Sequence, residues 1–349
     1  MNTMSPPKAR ASCQVPFEFL AAKLRGRRSR LWEGRRLRDL SRERTVGDLA
    51  LRLFPREDVP DAIGLERHLL AGCVRELGSM DFYLAEAYHD FYIALLARYA
   101  VENLKVILRL FQKEGGKADP SAYLVELPRE LSIPVEKLLG SADVKEFIMW
   151  TPLEAVAACA REALPLYVRS QRKAYLEVAF DKGYWLGVWE KLGRLPAEDR
   201  EQCSVLLRCE FEAMRVLGTL RAAATYHIPW EEWQALLPRL PGETGSLELR
   251  RIHGRPELEL IREQVPWARH ALRRFVAPGE VPDFARLEEA LWQETARLAN
   301  RQYYTATSAP AILVSYFYLK RHELRRLMAL TQMVRYGGKE DEIAAYLET

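Results

Sequence analysis

The chain carries one ending twice. Gly115-Gly116-Lys117 and Gly337-Gly338-Lys339 lie 222 residues apart, and the paired leucines Leu108 and Leu330 share that offset. Half of it is 111, and near that distance stands a third copy: Leu220-Arg221 follows Leu108-Arg109 by 112 positions, and Leu237-Pro238-Arg239 follows Leu127-Pro128-Arg129 by 110. The last words agree too, since Ala345-Tyr346-Leu347 echoes Ala122-Tyr123-Leu124 at 223. A fixed period marks a chain built by repetition, in which each unit leaves a face that its neighbour must cover. The chain therefore reads as three degenerate copies of a unit of about 111 residues, with small insertions between them.

Each copy reads as helix. In the last, Leu324, Leu327, Met328 and Val334 recur at helical spacing, and Gly337-Gly338 is a C-terminal stop. In the first, Leu104, Ile107, Leu108 and Phe111 share a face. The wider pattern from Asp81 to Glu114, with Leu84, Tyr88, Phe91 and Leu95 in register, would span about 50 Å as one unbroken helix. The middle copy runs from Leu206 to His227. No stretch sustains period-two alternation with β-branched enrichment, so the expected fold class is all-α. Pro238 to Pro282 is punctuated by proline and glycine and reads as a linker, with short helices expected over Leu258–Gln264 and Trp267–Phe275. The expected organisation is a loose tail over 1–14, repeat one over 15–127, repeat two over 128–238, and linker plus repeat three over 239–349.

Composition narrows the function classes. Hydrophobic residues at 48% can supply a core, while 29% charged residues and a mean hydropathy of −0.24 indicate a soluble chain. Gln302 to Leu319 carries no formal charge, but Gln302, Thr305, Thr307, Ser308, Ser315 and Pro310 make it too polar for a membrane span. It reads as a loop feeding a buried helix. No cleavable signal is visible at the N-terminus. Five cysteines without a CxxC pair fit a reducing compartment. Both Gly-Gly-Lys sequences lack the other P-loop residues and sit where a helix ends, where its dipole repels anions. The six histidines show no zinc spacing, and no nucleophilic triad pattern stands out. Glu210 and Glu212 are two apart on a helix, so they face different ways. No catalytic residue, metal ligand or cofactor-binding residue is assigned.

The net charge is only +4, from 52 basic and 48 acidic residues, yet arginines crowd the stretch from Lys23 to Arg44. Such a run could mark a nucleic-acid footprint. It could equally be an Arg-rich helix whose stems cover apolar surface while the heads stay wet. The balance of the remaining chain, and the lack of any nucleic-acid module, favour the second reading.

YFYLKRHELRRLMAL, Tyr316 to Leu330, resembles the last-repeat signature of the rotary ATPase subunit called C in V/A-type complexes and d in eukaryotic V-ATPases. Leu319, Lys320, Glu323, Leu327 and Gly337 fit it. Val101 to Arg109 fits the first-repeat motif, and Ala179, Asp181 and Tyr184 fit the second repeat. Ala21, Lys23 and Arg25, then Arg28-Ser29-Arg30-Leu31, resemble the family's opening helix. Thr151-Pro152 falls where the family has it before the second repeat. The resemblance covers the chain from Phe17 to its end, with departures at Ala100, Arg215, Trp292 and Arg326.

It implies a funnel of three helical bundles around a pseudo-threefold axis, bound peripherally on the cytoplasmic face of the membrane. The implied partners are the central shaft, a coiled-coil D-type and a small F-type subunit, and the membrane proteolipid ring. The implied work is mechanical and non-catalytic: passing torque between shaft and ring during ion transport, such as proton transport, or ATP synthesis. On that reading Arg109, Glu210, Glu212, Arg221 and Glu323 mark the repeated motif and line the socket. Lys23, Arg25, Arg28 and Arg30 form an outer or ring-facing basic surface. No cofactor, nucleic acid or small-molecule substrate is implied. The alternative is an all-α scaffold or nucleic-acid-binding protein that uses the 23–44 run.

Overall fold

The computed structural model describes residues 17–59, 61–111, 120, 123–239, 247–255, 257–275 and 283–348. The expected tail over 1–14 and the Gly115-Gly116-Lys117 stop lie outside them. The described residues form helices and short 3-10 turns, with no strand among them.

The first third holds α1 (Phe17–Arg28), α2 (Gly34–Asp39), α3 (Val46–Leu53), α4 (Ala62–Gly78) and α5 (Glu86–Leu110). The middle holds α6 (Val135–Leu139), α7 (Val144–Met149), α8 (Glu154–Ser170), α9 (Ala174–Leu192), α10 (Ala197–Ala224) and α11 (Trp230–Leu236). The last third holds α12 (Leu247–Gly254), α13 (Leu258–Gln264), α14 (Arg269–Phe275), α15 (Phe284–Thr305), α16 (Ala309–Arg335) and α17 (Glu340–Glu348).

The uncharged run reads out as expected. α15 ends at Thr305, and α16 starts after Ser308, whose hydroxyl accepts the Ala311 N–H at 3.4 Å while Pro310 occupies the first turn. From Pro310 to Leu319 every residue of α16 is buried, because α1, α4, α10 and α15 all pack against it. A helix covered on every side needs apolar or internally satisfied residues all round. Ser315 meets that need by donating to the Ala311 carbonyl at 2.8 Å. The helix stops at Gly337, whose φ of 72° is open to glycine without strain. The Gly338 N–H then donates to the Met333 carbonyl at 2.8 Å, and the Gly337 N–H to that of Val334 at 3.1 Å.

The long helix of the first copy is shorter than its pattern. It starts at Glu86 rather than Asp81, because Asp81–Tyr83 forms a 3-10 turn. The Asp81 carboxylate there sits 2.6 Å from His89 Nε2, a tertiary pairing that residue spacing does not encode. The segment read as a linker is built into the body: α12 and α13 pack on α10, and α14 packs on α15. Its apolar residues Leu249, Ile252, Ile261, Val265 and Leu272 are buried. Its expected helices appear, the second as a 3-10 turn over Pro266–Ala268 running into α14, and α12 is an addition.

One buried polar residue ties a loop to the core. Asn103 donates from Nδ2 to the Val125 carbonyl at 2.8 Å and accepts the Val125 N–H at 3.1 Å. Asn103→Leu leaves both backbone groups without partners, and is expected to lower the unfolding free energy by about 2 kcal/mol. Urea denaturation with an unchanged m-value would check it.

Candidate functional site

The helices carrying the repeated motif meet through charged and hydroxylated side chains. Arg321 of α16 forks onto Glu210 of α10, with both N–H···O distances at 2.9 Å, and Tyr318 donates its hydroxyl to the same carboxylate at 2.6 Å. These partners are 111 and 108 residues apart. At the starts of these helices, Asp199 in the first turn of α10 accepts from Tyr88 at 2.6 Å and from Ser308 at 2.5 Å, partners 111 and 109 residues away. Contacts therefore recur at separations of 108–111 residues, close to the period expected from the sequence.

The Glu210–Arg321 pair is buried, with side-chain exposures of 11% and 9%. Burial by itself pushes the Glu210 carboxyl up, but Arg321, with Arg98 of α5 and the Tyr318 hydroxyl, outweighs it and holds the group down at about 2. Arg321 also lies over the faces of Trp292 and Phe317, at 4.9 and 5.2 Å from the ring centroids.

Beside this cluster lies a cleft of about 290 Å³ between α5, α9, α10 and α15. Its walls are ion pairs over an apolar floor that includes Met214, Leu217 and Leu291. Arg109 takes both oxygens of Glu177, at 2.7 Å each. Lys105 reaches Asp181 at 2.7 Å, and Arg221 reaches Glu288 at 2.5 Å. The heads of Arg109 and Arg221 stay 57% and 45% exposed. They can exchange their present partners for the carboxylates of a second molecule at little cost, since exposed pairs contribute about 0–1 kcal/mol each.

Three of the five expected socket residues, Arg109, Glu210 and Arg221, thus line one cleft. The other two do not join them. Glu212 accepts the indole N–H of Trp267 at 2.9 Å, on the side of α10 that two residues of helical rotation dictate. Glu323 is buried elsewhere, accepting the Trp32 N–H at 2.6 Å and pairing with Lys320 at 2.5 Å. Of the expected basic surface, Arg25 and Arg30 are exposed, Lys23 is half-buried over the Tyr83 ring, and Arg28 is buried between Glu33 and Asn300. Much of the arginine run is paired within the protein: Arg27 with Glu76, Arg42 with Asp39 and Arg44 with Glu340.

The residues that reading the sequence did not assign are Arg98, Glu177, Glu288 and Arg321. Arg98 and Arg321 stand near the repeat spacing from Glu210, so aligning charges across the copies could have found them. Glu177 and Glu288 are separated by the same period, and their pairs with Arg109 and Arg221 span 68 and 67 residues, so the same alignment could have found them. Among the described residues, Asp81, His89 and Glu130 bring ligand-type atoms within 4.8 Å of one another. Cys73, Cys159, Cys203 and Cys209 are free and buried, while Cys13 lies outside the described residues. No helix among the described residues is long and apolar enough to cross a membrane.

Long helices packed about a buried ion cluster, with a charged cleft between them, define an all-helical protein. The family model of the ATP synthase (C/AC39) subunit matches residues 20–346, and the chain belongs to that family. It is a rotor-associated subunit of a V/A-type ATPase, in a family of non-catalytic subunits associated with that complex. It is also similar to a protein of Treponema pallidum (strain Nichols) described as "Uncharacterized protein". The two are 27% identical over 346 residues, covering 92% of this chain and 93% of that one.

Proposed function

We propose that this chain is the socket of the central rotor, seating the shaft subunits and passing torque between them and the membrane proteolipid ring. The observation that carries the reading is the recurrence of contacts at the repeat spacing: Asp199 with Tyr88 and Ser308, and Glu210 with Tyr318 and Arg321. When copies of one unit are arranged about an axis, corresponding residues of neighbouring copies meet close to it. A pseudo-threefold funnel, with repeats over 15–127, 128–238 and 239–349, has that property. Closing three units on one another also leaves no open repeat end to cap.

The cleft beside the cluster suits a charged helical partner. Arg109 and Arg221 offer forked donors for carboxylates on a coiled-coil shaft, and the apolar floor offers contact area. The buried Glu210–Arg321 pair lies beneath it as a rigid base, because closely packed interiors transmit strain and yield little. On this reading the complex lies at the cytoplasmic face of the membrane, and Arg25 and Arg30 belong to an outer, ring-facing surface.

The test is shaft binding by the charge-reversed double variant Arg109→Glu/Arg221→Glu. Its affinity for a purified D–F shaft pair should fall by about 100-fold, with a steep salt dependence in the wild type, while Tm moves by no more than about 3 °C. Equal affinity for wild type and variant in calorimetric titration would sink the placement. A pull-down from native membranes that recovers no proteolipid or shaft subunit would sink the function.

A further inference from the structure

A second cavity, of about 450 Å³, opens between the turn after α1, α15 and α16. Arg28, Trp32, Arg297, His322, Glu323 and Arg326 are among its walls. Its acidic groups are already engaged. Glu33 pairs with Arg28, and Glu323 is held by Trp32 and Lys320 as described. Arg297 is committed to Glu294, with Nε at 3.0 Å and Nη2 at 2.6 Å.

What is left over is nitrogen. Arg28 Nε, His322 Nδ1 and Arg326 Nη2 are buried and have no hydrogen-bond partner in the protein. Buried polar atoms without partners are uncommon in folded proteins, and here three of them belong to residues that line a single cavity. Arg28 Nε and Arg326 Nη2 can only donate, and the imidazole can donate from Nδ1 in one tautomer. The electrostatics point the same way. Burial, with Arg326 and Arg325 beside it, pushes His322 down to about 4, and burial also lowers Arg326. The two arginines beside His322 make an anion a favourable neighbour for its imidazolium.

We propose that this cavity binds a phosphoryl oxyanion, free or carried on a lipid headgroup, with Arg326, Arg28 and His322 as donors. A tetrahedral oxyanion presents several acceptor oxygens, the counterpart of guanidinium and imidazole donors arriving from different helices. Trp32 supplies an apolar side wall. The anion neutralises Arg326 and raises the His322 pKa back toward its ordinary value. Because the cavity joins α1, near the start of the chain, to α15 and α16, near its end, occupancy ties the first and last thirds together and stabilises the fold by mass action.

The experiment titrates the full-length protein at low ionic strength with inorganic phosphate, following heat and Tm. In parallel it measures co-flotation with phosphatidylcholine vesicles that contain or lack phosphatidic acid. Binding is expected to raise Tm, and Arg326→Gln should weaken it by about tenfold or more and remove the phosphate-dependent rise. His322→Gln should weaken it as well, whereas Arg255→Gln, an exposed arginine outside the cavity, should leave it unchanged. His322→Gln also serves if Arg326→Gln fails to fold. Saturable phosphate binding lost in these variants assigns a free phosphate site. Binding confined to phosphatidic acid vesicles, with the same loss, assigns a headgroup site. Absence of binding in both arms, or binding that neither cavity variant weakens, overturns the proposal.

Discussion

Glu210→Gln is expected to lower the unfolding free energy by about 3–5 kcal/mol, a large loss for a near-isosteric change. The substitution keeps the size of the side chain but strands the Arg321 guanidinium, 9% exposed, opposite a neutral amide. Removing one partner of a buried ion pair costs that much because the other charge stays desolvated and uncompensated. The double variant Glu210→Gln/Arg321→Met should recover a large part of the loss, since it removes the stranded charge as well. Chemical denaturation of the four forms of this cycle measures the coupling. If the double variant is as unstable as the sum of the single changes, the pair is not the unit described above.

The pair also sets an acid limb. The Glu210 carboxyl is lowered from its ordinary 4.5 to about 2, and a depressed acid contributes stability that is complete above its unfolded-state value and lost as pH falls through the folded one. A gap of that size corresponds to about 3 kcal/mol. The wild type should therefore lose stability between about pH 5 and 2 more steeply than Glu210→Gln. Parallel curves for the two proteins would show that other carboxylates dominate the limb.

Gly183→Ala is expected to cost about 3 kcal/mol, at the top of the range for overpacking a core. α8 and α9 form an antiparallel pair, and at Gly183 an added Cβ would stand 2.4 Å from the Val156 Cα, 2.6 Å from the Ala155 carbonyl oxygen and 2.7 Å from the Val156 nitrogen. All three are backbone atoms, so no rotamer change relieves the clash; α9 must move away from α8. One turn further along α9, Gly187 faces nothing closer than the Ala155 Cβ at 4.0 Å. Gly187→Ala should be neutral or stabilising by up to about 1 kcal/mol, through helix propensity alone. Thermal unfolding of the two variants side by side separates close approach from propensity, and equal Tm values would refute the contact.

Gly183 also illustrates what the sequence does and does not carry. Along α9 the motif Ala179, Asp181 and Tyr184 is legible as a helix with a polar member, but nothing marks Gly183 apart from Gly187; the difference lies wholly in where α8 passes. The same holds at the cleft. Arg109 and Arg221 could be named from their place in the repeated motif, and Glu177 and Glu288 recur at the same period, but only the fold shows that each glutamate holds the arginine 68 or 67 residues before it. Glu210 and Glu212 look alike as an acidic pair. Helical rotation turns one toward Arg321 and the other toward Trp267.

The start of α5 is a further case. Its apolar spacing runs back to Leu84, yet the helix begins at Glu86 because the preceding turn buries Asp81 against His89. Local periodicity is a property of neighbouring residues, and the contact that the preceding turn makes with the helix is not.

The helical class, the stop of α16 at Gly337 and the family are legible in the residues alone, because propensity, capping and motifs are written in residues close together along the chain. Which charges are buried and paired, which arginines remain available at the cleft, and where Arg28, His322 and Arg326 come together are set by tertiary packing. Those outcomes depend on contacts between residues tens to hundreds of positions apart, such as Arg28 with Asn300, 272 residues away. Desolvation and Coulomb attraction act on distance in space, which a linear order of residues does not record.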